Sequence, residues 1–533
     1  MSLYFNYDNS VCNEGSTPVI FSYDPSITSL KELLIYELSQ LSYYEEKLRE
    51  IGEDTEKLTD SVINYISLSV VNLDFRKDRF LGIIKNLYND VQKALQNYKE
   101  ICQKKKIKFE RIMGEKLSFE RKKEKNNAVN FGEKQSLLKN TVLTPSKKLM
   151  NDIVIMLLSN ACLCITELEN YEVNVGKLKY DIPKILKTVN YDSLSDRELK
   201  KEILNFAKTN YKIMSQLYGY VHKKYGPIKE TNVDLSIRKG KCILVSGHYY
   251  KNLEMLLDAV KDENINVYTH NDMLNAHAFS YFHKYKNLIG HYQRSVNNLQ
   301  LDFSSFPGAV LITKNTHSNF DIIRGRIFTP DNNPAYGLCK ISENDFSPLI
   351  KAAKEEKGFL KNLPVGDITV GYNEDEIKAK INTIIEDFAK EKYKHLFIIG
   401  TTNYNNPQNK YFIDFLNNLP KDCYVISLSY NMPAANIWHI ESFYDMSLIY
   451  FLLDNFRKNQ NILKKQTTVF IPQCHLQTIS HALNIKNTGV KNIFLSDCCP
   501  KVINPSLISG MNKLFGIKKI SGSAEQDLRN IIN

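Results

Sequence analysis

Between residues 29 and 126 apolar side chains recur every third or fourth position, almost without proline. Leu30, Leu33, Leu34, Leu38 and Leu41 share one helical face, and Ile63, Ile66, Val70 and Leu73 share another. Ile84, Leu87, Val91 and Leu95 continue the period. This spacing predicts long amphipathic helices, and several in succession predict an antiparallel bundle. Residues 126–147, with Asn126-Asn127, Gly132 and Pro145, predict a loop, after which helices resume over 148–167 and 194–223. Beyond Lys239 the pattern changes. Cys242, Ile243, Leu244 and Val245 form a short apolar run closed by Gly247, and residues 310–312 and 396–399 repeat it. Polar loops and helical segments follow each run, as at Leu253, Leu256 and Leu257. Buried-strand runs alternating with helices predict parallel-sheet α/β domains.

In such sheets ligands sit beyond the carboxyl ends of the strands. His248, Asp272, Thr316 and Thr402 fall on loops of that kind. Composition adds little to this. With 533 residues, 43% of them hydrophobic, the chain is expected to form about three domains. No signal peptide is recognised, and the apolar run over residues 153–158 is too short to cross a membrane, so a cytoplasmic protein is expected. None of the ten cysteines stands in a spacing typical of a metal knuckle or redox pair: Cys162 and Cys164 are one residue apart, and Cys498 and Cys499 are adjacent. They are expected to be reduced, with Cys242 and Cys423 acting as small buried hydrophobes. No phosphate-binding glycine loop and no nucleophile elbow occurs. Ser246 and His248 are neighbours on one loop, which does not make a catalytic triad.

Longer motifs are more specific. Lys241-Cys242-Ile243-Leu244-Val245-Ser246-Gly247-His248 is followed by Asn266-Val267-Tyr268-Thr269-His270-Asn271-Asp272-Met273-Leu274-Asn275-Ala276-His277, then by Phe306-Pro307-Gly308-Ala309-Val310-Leu311-Ile312-Thr313. These segments resemble the hybrid-cluster protein (hydroxylamine reductase) family, whose second segment reads Val-Tyr-Thr-His-Gly-Glu-Met-Leu-Pro-Ala-His. Weaker echoes extend the resemblance over most of residues 212–520, among them Arg326-Ile327-Phe328-Thr329 and Gly489-Val490-Lys491-Asn492-Ile493. The resemblance implies a helical domain over 1–235, then two Rossmann-like α/β domains over 236–372 and 373–533.

The family holds an iron–sulfur–oxygen cluster with cysteine thiolates, two glutamates and a histidine. Soft iron–sulfur centres require thiolates, for which a hydroxyl or phenol is a poor substitute. The resemblance places the histidine at His248 and the first glutamate at Asp272, one methylene shorter. It places the four cysteine positions at Thr316, Thr402, Tyr430 and Phe443. The family's Glu-x-Lys pair falls on His475-Leu476-Gln477, where a one-residue slip would bring Cys474 into the glutamate's place. The family's N-terminal cysteine run is missing too, since only Cys12 lies in the first hundred residues. Tyr430 and Phe443 are expected to fill the former cluster volume between domains. His248, Asp272 and His475 form the one set of side chains that could hold a single divalent metal if they converge.

A basic stretch stands apart from this site. Lys104, Lys105, Lys106 and Lys108 are followed by Arg111, Lys116, Arg121, Lys122, Lys123 and Lys125, with Glu110, Glu115, Glu120 and Glu124 between them. With a net charge of +11, the stretch suits an acidic protein surface or polymer such as tubulin. Nucleic acid is the less favoured partner, because no binding motif accompanies the charge. No membrane partner is expected. Lost ligands on a kept fold lead to the expectation of a pseudoenzyme without cofactor, serving as a structural or interaction component of a larger, possibly cytoskeletal, assembly. The alternative is a hydroxylamine or nitric oxide reductase-type oxidoreductase with a rebuilt single-metal site.

Overall fold

The computed structural model describes residues 25–68, 77–110, 128–130, 143–189, 194–292, 299–314, 325–331, 338–400, 409–428, 436–440, 446–457, 459–472, 477–495 and 505–532. They fall into two compact units, one within 9–217 and 501–510, the other within 218–500 and 511–533.

The first unit is helical. Its helices include Pro25–Glu50, Glu56–Ile66, Lys77–Lys105 and Pro145–Asn170. Lys77–Lys105 buries one stripe, formed by Phe80, Ile84, Leu87, Val91, Ala94, Tyr98 and Cys102, as its period requires. Pro25–Glu50 and Pro145–Asn170 are buried on almost every face, which makes them the central helices of this unit. Pro145–Asn170 starts where Thr144 Oγ1 accepts from the Lys147 amide at 3.2 Å, with Pro145 in the first turn, where no amide hydrogen is needed. It is 26 residues long and apolar enough to cross a membrane, but 78% of its most apolar stretch is buried within the protein, as in a core helix. The helix Lys77–Lys105 stops because Lys106 turns into the left-handed region at φ 55°.

The second unit holds two six-stranded parallel sheets and one antiparallel pair. The strands are β1 (Thr231–Asp234), β2 (Lys241–Ser246), β3 (Ile265–His270), β4 (Leu288–His291), β5 (Ala309–Ile312), β6 (Ile327–Thr329), β7 (Cys339–Lys340) and β8 (Asp367–Val370). They continue with β9 (His395–Ile399), β10 (Cys423–Ser427), β11 (Ile437–His439), β12 (Thr467–Ile471), β13 (Asn492–Leu495) and β14 (Ile517–Lys519). The first sheet has the order β4-β3-β2-β5-β6-β7 and the second β11-β10-β9-β12-β13-β14, while β1 pairs antiparallel with β8. β2, β5, β9, β10 and β12 are apolar and buried nearly end to end, as expected for strands covered on both faces. The predicted combination of helical bundle and parallel α/β sheets is therefore the observed fold class.

Each sheet reverses its winding at one place. After β2 the chain adds β3 and β4 on one side, then returns to add β5 on the other. After β9 it adds β10 and β11, then returns to add β12. The crevices between β2 and β5 and between β9 and β12 are the places where such sheets receive ligands.

Candidate active site

Register brings the carboxyl ends of β2, β3 and β5 level. Ser246 pairs with His270 on one side and with Ile312 on the other. His248 and Asp272 each stand two residues past that paired row, His248 in the turn after β2 and Asp272 in the first turn of a 3-10 helix, Asn271–Ala278, rather than on the expected loop, and both are buried. The turn after β2 runs through Gly247 at φ 127°, a conformation that favours glycine. Thr313, just past β5, then fixes the loop across the crevice. Its Oγ1 accepts from the backbone amides of His248 at 3.2 Å and Tyr249 at 3.3 Å. Asn252 Oδ1 accepts from the Lys314 amide at 2.9 Å, Asn252 Nδ2 donates to Glu343 at 3.3 Å, and Lys314 forms an ion pair with Glu343. The structure thus brings His248 and Asp272 to one edge and ties the His248 turn to the segment after β5 by polar contacts.

Behind that edge lies a network with no local signature in the sequence. The Ser246 hydroxyl meets His270 Nδ1 at 2.8 Å, and His270 Nε2 meets Asp302 Oδ2 at 3.3 Å. A carboxylate only accepts, so the imidazole carries its hydrogen on Nε2 and accepts the Ser246 hydroxyl on Nδ1. Burial holds the His270 pKa below its ordinary value, with the Asp302 contact opposing. Serine, histidine and aspartate are in contact here, but this is not a hydrolytic triad. All three are buried away from any substrate, and serine and aspartate occupy the nitrogens opposite to those that chemistry uses. One residue earlier, Thr269 Oγ1 lies 2.9 Å from His277 Nε2 and 2.9 Å from His291 Nδ1. One hydroxyl has one hydrogen, so at least one of these rings donates to it. Burial pushes His277 down to about 4, which keeps it neutral near neutrality. The sequence reading named Ser246 only beside His248 and missed His270, Asp302, His277 and His291 as partners.

On the second sheet, Gly400 follows β9 and donates to Phe470 O of β12 at 3.0 Å. Gln477 opens the helix Thr478–Asn487 after β12 and is buried at 2% exposure, with neither amide atom hydrogen-bonded. In the same helix His481 Nδ1 contacts the Tyr450 hydroxyl at 2.5 Å. Thr316, Thr402, Tyr430, Phe443, Cys474 and His475 lie outside the described residues. The expected filling of a cluster cavity by Tyr430 and Phe443, and the convergence of His475 on His248, fall there too.

The described donors do not fit a thiolate-held cluster. Cys423 begins β10 and Cys242 is the second residue of β2, both toward the ends of those strands away from the candidate site. Burial pushes both thiols up to about 12, as for buried small hydrophobes. Cys102, Cys162 and Cys164 are buried in helices, and Cys339 lies on the outermost strand β7. Among the described residues no three His, Cys, Asp or Glu side chains gather in a metal-binding set. The basic stretch is likewise only partly described. Lys104, Lys106 and Lys108 are exposed, whereas Lys105 is engaged, donating to Ile51 O at 2.7 Å and pairing with Glu53 at 2.8 Å. Arg121, Lys122 and Lys123 lie outside the described residues.

Comparison with known proteins gives the relatives and the family of the chain. The hydroxylamine reductases of Salmonella typhi and of Salmonella typhimurium (strain LT2) are each 28% identical to the chain over 351 residues, covering 62% of it and 63% of the relative. The matched part is thus less than two thirds of those relatives' length. A solved acetyl-CoA synthase/carbon monoxide dehydrogenase, described by the NiZn[Fe4S4] and NiNi[Fe4S4] clusters of its alpha subunits, aligns over 95% of this chain and 82% of its own. Its TM-score is 0.50 at 11% identity, a likeness of fold alone. The expectation of a protein that is not an enzyme is corrected by the relatives, which are named as reductases. Among the described residues the cysteines do not gather into a thiolate set, and His248 and Asp272 are donors of another kind. The profile of the Prismane/CO dehydrogenase family matches residues 22–435, most of the chain, and the chain belongs to that family.

Proposed function

We propose that this chain is an oxidoreductase of the hydroxylamine-reductase class whose reacting centre is rebuilt around His248 and Asp272. The observation that supports this reading is their placement: an imidazole and a carboxylate, both buried, each two residues past the paired ends of β2 and β3. The relatives named as hydroxylamine reductases suggest the reaction class. Reducing hydroxylamine consumes two electrons and two protons and yields ammonia and water. The electrons come from an external one-electron donor. His248 and Asp272 are hard and borderline donors, which suit a divalent iron, manganese or zinc better than a thiolate cluster; a redox-active metal of that kind would supply electron transfer to the N–O bond. The residues themselves do the positioning. Thr313 holds the His248 loop by two amides, and the neutral imidazoles behind it contribute hydrogen bonds without adding positive charge.

The test is hydroxylamine-dependent oxidation of reduced methyl viologen under anaerobic conditions, with ammonia measured as product and bound metal measured by mass spectrometry. The expected result is turnover that His248→Ala and Asp272→Ala each lower by about a hundredfold or more, on the scale of losing a positioned catalytic group. Absence of turnover in protein reconstituted separately with iron, manganese and zinc would overturn the assignment. Undiminished turnover in both variants would move the centre elsewhere.

A further inference from the structure

A strap at the amino end of the first sheet, opposite the His248 edge, exposes apolar side chains that the fold makes no attempt to cover. Residues 358–366 run antiparallel to 235–240 just before β2 begins. Gly240 and Phe359 exchange backbone hydrogen bonds at 3.0 and 2.9 Å, Ile237 and Leu363 exchange two at 2.9 Å, and the Leu235 amide donates to Gly366 O at 2.9 Å. The Lys239 amide donates to Asn362 Oδ1 at 2.7 Å and the Val365 amide to Ser236 Oγ at 3.1 Å. Phe359 anchors the strap, packing its ring against Tyr268, Tyr292 and Phe306. Gly358, at φ 69°, passes so close to Gly240 that a Cβ would lie 2.3 Å from its carbonyl oxygen. The backbone pairing and the Gly358 contact fix the course of the strap, with Phe359 turned into the core.

What it turns outward is apolar. Leu360 is 78% exposed, Leu363 41% and Val365 59%, with Pro364 exposed between them. Among the described residues, these are three of the seven exposed large hydrophobic side chains, gathered within six positions. Clustered exposure of this kind marks a contact surface. The charge beside it has a sign. Residues 234–241 and 357–367 carry five basic side chains (Arg238, Lys239, Lys241, Lys357 and Lys361) against two acidic ones, Asp234 and Asp367. Arg238 pairs with Asp234, and Lys241 donates to Glu356 O, which leaves Lys239, Lys357 and Lys361 exposed around the ridge.

We propose that this strap docks the protein onto an anionic lipid surface. In this arrangement Leu360, Leu363 and Val365 enter the interfacial layer and the lysines lie against the headgroups. The ridge is formed by projecting side chains, and a bilayer needs no complementary cleft to receive it. Much of its backbone is already hydrogen-bonded within the protein, and Pro364 has no amide hydrogen, which suits a medium that cannot replace lost hydrogen bonds. Interfacial apolar contact and lysine attraction to anionic headgroups act together in such anchors. The expectation of no membrane partner rested on the lack of a spanning segment, which a surface contact does not require. This inference is independent of the proposed reductase activity.

The test is sedimentation of the full chain with vesicles of phosphatidylcholine alone and with vesicles of phosphatidylcholine and phosphatidylglycerol, at low and high salt. Binding is expected only to the anionic vesicles and is expected to weaken with salt. Leu360→Asp combined with Leu363→Asp should lower it about tenfold or more, and Lys357→Glu combined with Lys361→Glu should remove the preference for anionic lipid. Both pairs are exposed, so far-UV circular dichroism and thermal midpoint should match the parent. Equal binding to both vesicle types, no binding, or unchanged binding of the leucine variant would each overturn the proposal. So would a dimer, seen by sedimentation velocity, that the leucine variant abolishes while lipid binding is absent; the ridge would then serve a second copy of the chain.

Discussion

At the scale of single residues, the informative side chains are the buried polar ones. Asp302 is held against His270 in a wholly buried contact. Asp302→Ala would leave the Nε2 hydrogen without a partner, so a loss of about 2–3 kcal/mol is expected by urea denaturation. Asp302→Asn keeps an acceptor oxygen and should lose about 1 kcal/mol. An unchanged midpoint in the alanine variant would show that the contact carries no stability. The thiols allow a second check. Cys242 and Cys423, pushed up to about 12 by burial, should react with iodoacetamide at about pH 8 more than a hundredfold slower than free cysteine, and at the ordinary rate once the chain is unfolded. Fast labelling of either in the native protein would contradict the burial. The sequence foresaw these two cysteines, because both sit in apolar strand-like runs. It did not foresee the Asp302 partner of His270, which lies 32 residues away along the chain.

At the scale of elements, the motif Phe306-Pro307-Gly308-Ala309 shows why glycine stands where it does. A Cβ on Gly308 would lie 2.0 Å from Cys242 O, a backbone atom of β2 that cannot move aside without shifting the strand. Gly308→Ala should therefore separate β5 from β2 and cost about 2–4 kcal/mol, with a matching fall in thermal midpoint. A variant as stable as the parent would mean that β5 enters the sheet differently. The strands themselves were legible as short apolar runs: residues 310–312 and 396–399 lie within β5 and β9. Helices were legible where the period was long. The 148–167 and 194–223 expectations became Pro145–Asn170 and Asp196–Tyr225. The basic stretch differed. Charge continues past Lys105, but the helix does not, because Lys106 adopts a left-handed turn that the run of lysines does not announce.

At the scale of the whole molecule, the two units should respond to pH with opposite signs. Burial raises Glu37 and Glu167 of the helical unit to about 8, so folding takes up protons there. Its stability should fall as pH rises from about 5 to 8, with a ceiling of about 3–4 kcal/mol for each glutamate. Lys31, lowered to about 8, acts above that range: the unfolded chain binds its proton more tightly, so stability recovers between about 8 and 10.5. In the α/β unit His277 and His395 are lowered to about 4, so stability is lost as pH falls from about 6.5 towards 4. Hydrogen exchange read at several pH values should show the helical amides better protected near pH 5 than near pH 8, with Glu37→Gln flattening that slope. A parallel response of both units would refute the assignment. The sequence by itself determined that a helical part precedes one with parallel sheets, and that His248 and Asp272 stand just past strand ends. These follow from periodicity and from motif positions, which are properties of neighbouring residues. Only the tertiary structure decided that Asp302 meets His270, that Thr269 joins His277 to His291, and that Leu360, Leu363 and Val365 face outward. Those outcomes depend on β2 lying between β3 and β5 in one register, and on a strap hydrogen-bonded to a segment more than a hundred residues earlier in the chain. Spacing along a chain records which residues share a face, and the packing of distant segments settles which faces meet.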